Sequence, residues 1–161
     1  VREKTHLQLA FSSAAAMPSP PFPPPTGEYS DHKANCHCGA VRFTFFISPP
    51  LDNYPVVECN CSICQRNGYL LVYPVKENLN LGEGSGEAMG SYCFGNNNVK
   101  HNFCKQCGSS LFFEVLSPPH DAAAEAERRG EKLPVIMGVN ASSQTFPTFT
   151  SYPSSLTNLK H

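Results

Sequence analysis

The chain has no tryptophan, no marked excess of either charge and no long apolar run. Its 12 lysines and arginines stand against 13 aspartates and glutamates, leaving a net charge of -1. A protein so balanced has no global positive field to draw in nucleic acid or anionic lipid, which excludes the broad electrostatic class of binders. A membrane-spanning helix needs about 20 consecutive apolar residues, and no stretch approaches that. The piece from Leu7 to Phe11 is too short, and its flanks too polar, for the apolar core of a secretion leader. Helical patterning is scarce too. Only the segment from Asp121 to Gly130 reads as a helix, with acidic residues ahead of basic ones and a glycine at its end. At about two turns it is marginal alone and is expected as one short surface helix.

What is present is proline, glycine and β-forming sequence. Fifteen prolines and 11 glycines in 161 residues, with 40% apolar residues, suit a single loop-rich, mainly β domain with a modest core. Residues 1–33 read as a flexible proline-rich lead, because the run from Met17 to Pro25 removes amide donors and favours polyproline II. The ordered domain is expected over 34–150, with 151–161 as a polar tail. Strands are expected at Val41–Ile47, where apolar and polar residues alternate, and at Val56–Cys59. Tyr69–Tyr73 is expected to follow an Asn67-Gly68 hairpin turn. Further strands are expected at Gly90–Phe94, Ser110–Val115 and Leu133–Val139. The glycine-spaced segment 81–86 reads as a loop, without the Lys-Ser/Thr ending of a phosphate loop.

Eight cysteines could form four disulfides in a small secreted chain. Here seven of the eight fall in tight groups, Cys36-His37-Cys38, Cys59-Asn60-Cys61-Ser62-Ile63-Cys64 and Cys104-Lys105-Gln106-Cys107. Bridges within such groups would crosslink little chain, so the pattern favours chelation and a reducing compartment, cytosol or nucleus. Two cysteines at i and i+2 of an extended chain point to one face. A CxxC turn also directs its two sulfurs to one point, and Gly108 accepts the positive φ such a turn needs. Cys36, Cys38, Cys104 and Cys107 thus supply the four thiolates of a closed tetrahedral zinc site.

The CxCxxC group then stands apart. Cys59 and Cys61 share a face, and a turn at Ser62-Ile63 swings Cys64 toward them. Three ligands with an open fourth position is the arrangement of catalytic zinc. Cys93, His101 or a water are the candidates for the fourth corner. Cys93 lies between Tyr92 and Phe94, a context typical of a buried inert thiol. Arg66, Lys100 and Lys105 lie near the clusters, where they read as ordinary solvated surface charge or, alternatively, as partners for substrate carboxylates.

The blocks Cys36-His37-Cys38-Gly39-Ala40-Val41-Arg42-Phe43, Cys59–Cys64 and His101-Asn102-Phe103-Cys104-Lys105-Gln106-Cys107-Gly108 resemble the glutathione-dependent formaldehyde-activating enzyme family, which includes the centromere protein V group. The resemblance runs from about Asn35 to Asn140. It implies an Mss4-like β-tent fold, a structural zinc on Cys36, Cys38, Cys104 and Cys107, and a catalytic zinc on Cys59, Cys61 and Cys64. The chain departs from the family where Ala141-Ser142-Ser143 replaces an Ala-Arg pair, and in its 121–130 insertion and proline-rich lead.

The expected activity is that of a zinc-dependent carbon-sulfur lyase with two zinc ions per chain. Its substrate would be a small-molecule thiol, glutathione or a glutathione adduct. It would form S-hydroxymethylglutathione or remove glutathione from a conjugate, in the cytoplasm. No nucleic acid or membrane partner is expected, and a homo-oligomer is compatible with the composition. One alternative is a non-enzymatic zinc scaffold of the centromere protein V type. Another is a reductase with Cys93 or a member of the second cluster as its redox thiol.

Overall fold

The computed structural model describes residues 23–117, 120–143 and 157–159. The proline-rich stretch up to Phe22 and most of the 151–161 tail lie outside the described residues. The first strand, β1 (Ser30–Asn35), begins four residues before Ala34. It pairs antiparallel along its length with β2 (Arg42–Ile47). The sequence of β1 is polar because it is an edge strand, and only Ala34 is buried. In β2 the alternation is plain: Phe43, Phe45 and Ile47 are buried while Arg42 and Thr44 are exposed.

Next come β3 (Val57–Cys59), helix α1 (Ser62–Asn67) and the two-residue β4 (Leu71–Val72). These are followed by β5 (Leu79–Leu81), helix α2 (Ser85–Ala88) and β6 (Met89–Tyr92). Two long strands, β7 (Val99–Cys104) and β8 (Ser110–Val115), form a hairpin across the CxxC knuckle. The chain closes with α3 (His120–Arg129), β9 (Met137–Asn140) and β10 (Thr157–Leu159). The strands form a three-stranded sheet, β1-β2-β5, and a seven-stranded sheet, β10-β3-β4-β9-β8-β7-β6. The mainly β architecture is thus as expected, with three short α-helices among the described residues instead of one.

The extra helix that matters is α1. Asn67-Gly68 does not turn a hairpin. It ends α1, with Gly68 in the left-handed region at φ 59° and its amide bonded to the Cys64 carbonyl. A helix C-terminus and a tight hairpin both call for a residue tolerant of positive φ, so the Asn-Gly pair carries the same signal for either. Six residues are too few for a helix to persist alone. Cys64 anchors α1 by packing with Val57, Tyr69, Leu71 and Phe113.

The central strands of the large sheet, β4, β8 and β9, are buried on both faces. Val72, Leu111 and Val139 face Phe43, Phe45 and Ile47 of the small sheet, and Phe43 meets Phe112 edge-on at 5.2 Å. Leu71 and Phe113 face the other way, under α1. Buried polar groups are tied down. Asn140 accepts from the Leu70 amide and the Ser142 hydroxyl and donates to the Ser110 carbonyl, linking β4, β8 and the turn after β9. Glu114 is ion-paired with Lys76 and Lys100. Burial works against its ionisation, but the two ammonium groups hold its carboxyl below the ordinary value.

Phe113 lies across Gly138, its partner in β9. A Cβ at Gly138 would stand 2.1 Å from Phe113 Cζ. Gly138→Ala should therefore displace this ring and cost about 1–3 kcal/mol, the usual range for overpacking. The urea midpoint of the zinc-loaded protein measures it, and an unchanged midpoint would show that the ring moves freely.

Candidate metal centre

Cys36 and Cys38 lie in the turn between β1 and β2, while Cys104 ends β7 and Cys107 lies in the turn that leads to β8. The four sulfurs all lie within 4.8 Å of one another. Cys36 Sγ is 3.5 Å from Cys38 Sγ, which is 3.7 Å from Cys104 Sγ. Tetrahedral zinc with sulfur at about 2.3 Å requires S–S edges of about 3.8 Å, so the cage has the size of a zinc site. Local turns produce it. The Val41 amide donates to Cys36 Sγ at 3.2 Å, the Gly108 amide to the Cys104 carbonyl at 2.9 Å, and Gly108 has the positive φ (74°) expected of it. Cys36 and Cys104 are fully buried, whereas Cys38 is exposed.

Without a cation these thiols compete. Hydrogen bonds from the Ser109 hydroxyl and amide draw the Cys107 thiol down to about 5. Cys38 is pushed up to about 12, since the help of the Ala40 amide is outweighed by the crowding thiols of Cys36, Cys107 and Cys104. Neighbouring like charges cannot all form, and a divalent cation removes that conflict.

The second group, Cys59, Cys61 and Cys64, also has its sulfurs within 4.8 Å of one another. Cys59 ends β3, and Cys61 keeps an extended backbone as the N-cap of α1. Cys64 comes round on the first helical turn, closed by the Gln65 amide on the Cys61 carbonyl at 3.0 Å. What read as a simple turn at Ser62-Ile63 is thus the start of a helix. Burial raises the Cys64 thiol, with Cys61 and Cys59 adding to the effect. Cys61 is lowered: burial opposes its ionisation, but the Cys64 amide and the Cys64 and Cys59 thiols donate to it. Among the described residues neither Cys93 nor His101 joins this group, which has three sulfurs and no fourth protein ligand.

Beside it, between α1 and the β6–β7 edge, lies a cavity of about 550 Å³. Ser62 and Ile63 from the second cluster's turn line one side, and Phe103 and Gly108 from the first cluster's knuckle line another. The cavity therefore adjoins both clusters. Of the three cations singled out, Arg66 lines it, its Nη1 donating to the Ser62 carbonyl at 2.9 Å. Lys100 is instead paired with Glu114, and Lys105 donates to the Glu87 carbonyl.

His101 is only 6% exposed, and burial holds its imidazole below the ordinary pKa, hence neutral. It packs among rings, with Phe113, Phe94 and Tyr69 at 5.3, 5.8 and 6.1 Å. This environment was not legible in the sequence, where His101 stands beside the knuckle as a candidate fourth ligand. The one available signal was the spacing of rings at Tyr92, Phe94, His101 and Phe103, from the end of β6 into β7.

Residues 31–132, more than half the chain, match the family of glutathione-dependent formaldehyde-activating enzymes. The chain belongs to this family. All eight cysteines of this formaldehyde-activating-enzyme homologue fall within the matched stretch. Family membership together with the clusters supports a glutathione-related function and metal binding. The fold is shared with a Rhodobacter sphaeroides protein of known crystal structure, a structural-genomics target. That likeness has a TM-score of 0.57 at 24% identity and covers 79% of this chain and 99% of the other. Among the described residues of this family member, no helix is long and apolar enough to cross a membrane.

Proposed function

We propose that this protein is a zinc-dependent carbon-sulfur lyase, acting on glutathione or a related thiol and its carbon adducts. The observation that carries this reading is the second cluster: three sulfurs within 4.8 Å, one of them exposed, with no fourth protein ligand among the described residues and a cavity alongside. On this reading Cys36, Cys38, Cys104 and Cys107 hold a structural zinc, and Cys59, Cys61 and Cys64 hold the catalytic one. Zinc at a site with a free corner supplies a Lewis acid that keeps a visiting thiol ionised at neutral pH.

The chain's own residues then have separable tasks. Cys64 is buried and fixes the cluster to the sheet, while Cys61 lies at the surface, where a thiol can approach. Arg66, one turn further along α1, makes no ion pair among the described residues and is placed to receive a substrate carboxylate. In the forward direction the thiolate sulfur adds to a carbonyl carbon, the C=O electrons move to oxygen, and oxygen takes a proton from solvent. In reverse, the carbon-sulfur bond breaks and sulfur leaves with the electron pair.

X-ray absorption at the zinc edge tests the proposal without any assay of turnover. Purified protein should hold two zinc ions per chain with an average of about 3.5 sulfurs each, rising to about 4 when glutathione is added. An average of 4 before glutathione is added, or no change upon addition, would overturn it. A non-enzymatic scaffold of the centromere protein V type would give the second result.

A further inference from the structure

We propose that the cavity beside the second cluster binds a flat, ring-bearing carbon partner of the thiol, with a ring oxygen meeting His101 and Tyr69. The carbon side of the reaction is then an aromatic or extended unsaturated compound, not a one-carbon aldehyde. This deepens the lyase reading and rests on it for the thiol.

Size comes first. About 550 Å³ lies within the range of sites for drug-sized ligands. A one-carbon aldehyde is little larger than a water molecule, whose share of liquid volume is about 30 Å³, and would leave the cavity nearly empty. The thiol itself is a poor occupant. A tripeptide with two carboxylates and an ammonium group calls for several charged partners, and among the described residues Arg66 is the one charged side chain on the wall.

Shape comes second. Tyr92, Phe94, His101 and Tyr69 form a column of near-parallel rings. Successive centroids are 5.7, 5.8 and 6.1 Å apart, and the planes differ by 18°, 25° and 28°. The inner pair is buried, yet Tyr92 and Phe94 are 54% and 44% exposed. Rings favour offset stacking at such spacings, and a ligand ring is the natural cover for two large apolar side chains at a cavity wall.

Polarity comes third. Among the described residues His101 Nδ1 is buried without a hydrogen-bond partner, and Tyr69 Oη is buried with only the Ser110 and Asn67 side chains in reach. Both residues are more than nine-tenths buried, and both line the cavity. Buried polar atoms nearly always find partners, and a small turn of either side chain would bring its polar atom to a hydroxyl or carbonyl oxygen on the bound ring.

The test uses the zinc-loaded full chain and four probes: 2-naphthol, glutathione, S-methylglutathione and S-(4-nitrobenzyl)glutathione. Calorimetry should show saturable binding of 2-naphthol, and S-(4-nitrobenzyl)glutathione should bind about tenfold tighter than S-methylglutathione. The double variant Tyr92→Ala, Phe94→Ala removes only exposed rings, so its circular dichroism should match wild type while both ring preferences disappear. Tyr69→Phe keeps the ring and loses the hydroxyl, and should weaken 2-naphthol about threefold or more. Absence of 2-naphthol binding, or equal binding by the double variant, would overturn the ring site. If the glutathiones bind and 2-naphthol does not, the lyase reading survives without it. If 2-naphthol alone binds, the ring site survives and the thiol reading falls.

Discussion

Cys104→Ser should abolish cooperative folding and remove one metal equivalent per chain, measured by thermal unfolding together with metal analysis. Cys104 is fully buried where β7 ends, and the cluster it completes ties that turn to the β1–β2 turn, 66 residues away from Cys38. Closing a loop of that length costs about 4 kcal/mol by chain statistics, whereas structural zinc contributes about 10–16 kcal/mol of apparent binding free energy. The net is comparable with the whole stability of an ordinary domain, about 5–15 kcal/mol. Serine at this position offers a poor ligand and leaves a hydroxyl in a buried cage. Cys93→Ser, outside both clusters, is the control and should unfold near the wild-type temperature. A folded Cys104→Ser protein retaining both metals would refute the structural assignment.

Cys61→Ser should have the opposite profile, with turnover lost and folding kept. Cys61 is exposed and is the N-cap of α1, where its side chain makes no capping hydrogen bond. Serine is among the preferred residues at that position, so the helix should be unharmed or slightly firmer. On the proposed reading, the second cluster loses one of its three thiolates. Since disturbing even the groups around metal ligands typically costs 10–100-fold, kcat/KM for release of glutathione from an adduct should fall by more than about 100-fold. The metal count should drop from about two toward one with the melting temperature held. Unfolding equal to that of Cys104→Ser would show the second cluster to be structural as well.

The residues of these two experiments were legible from spacing. Cysteines at i and i+2, or at the ends of a CxxC turn, converge for reasons local to the backbone, and the described structure gathers the same four and the same three sulfurs. Strands β2 and β8 were legible for a similar reason, since each has its sides set by alternation or by a dense run of β-formers. The errors fall where one local signal serves two structures. Asn67-Gly68 suits a hairpin or a helix end, and packing of Cys64 on Tyr69 and Phe113 selects the helix. Edge strand β1 was hidden by its polar composition, which is what an edge exposed to water favours.

Local spacing, then, carries the two cysteine groups and most of the strands, because the convergence of nearby thiols and pleating are properties of a few neighbouring residues. Distance in the chain hides the rest. Tyr69 follows α1, Tyr92 and Phe94 flank the end of β6, and His101 sits within β7, so their column exists only once strands far apart in order are side by side. The same docking leaves His101 Nδ1 buried without a hydrogen-bond partner among the described residues, opens the cavity between α1 and the β6–β7 edge, and pairs Lys100 with Glu114, leaving Arg66 on the cavity wall. Those are matters of which surfaces meet, and no short stretch of residues encodes them.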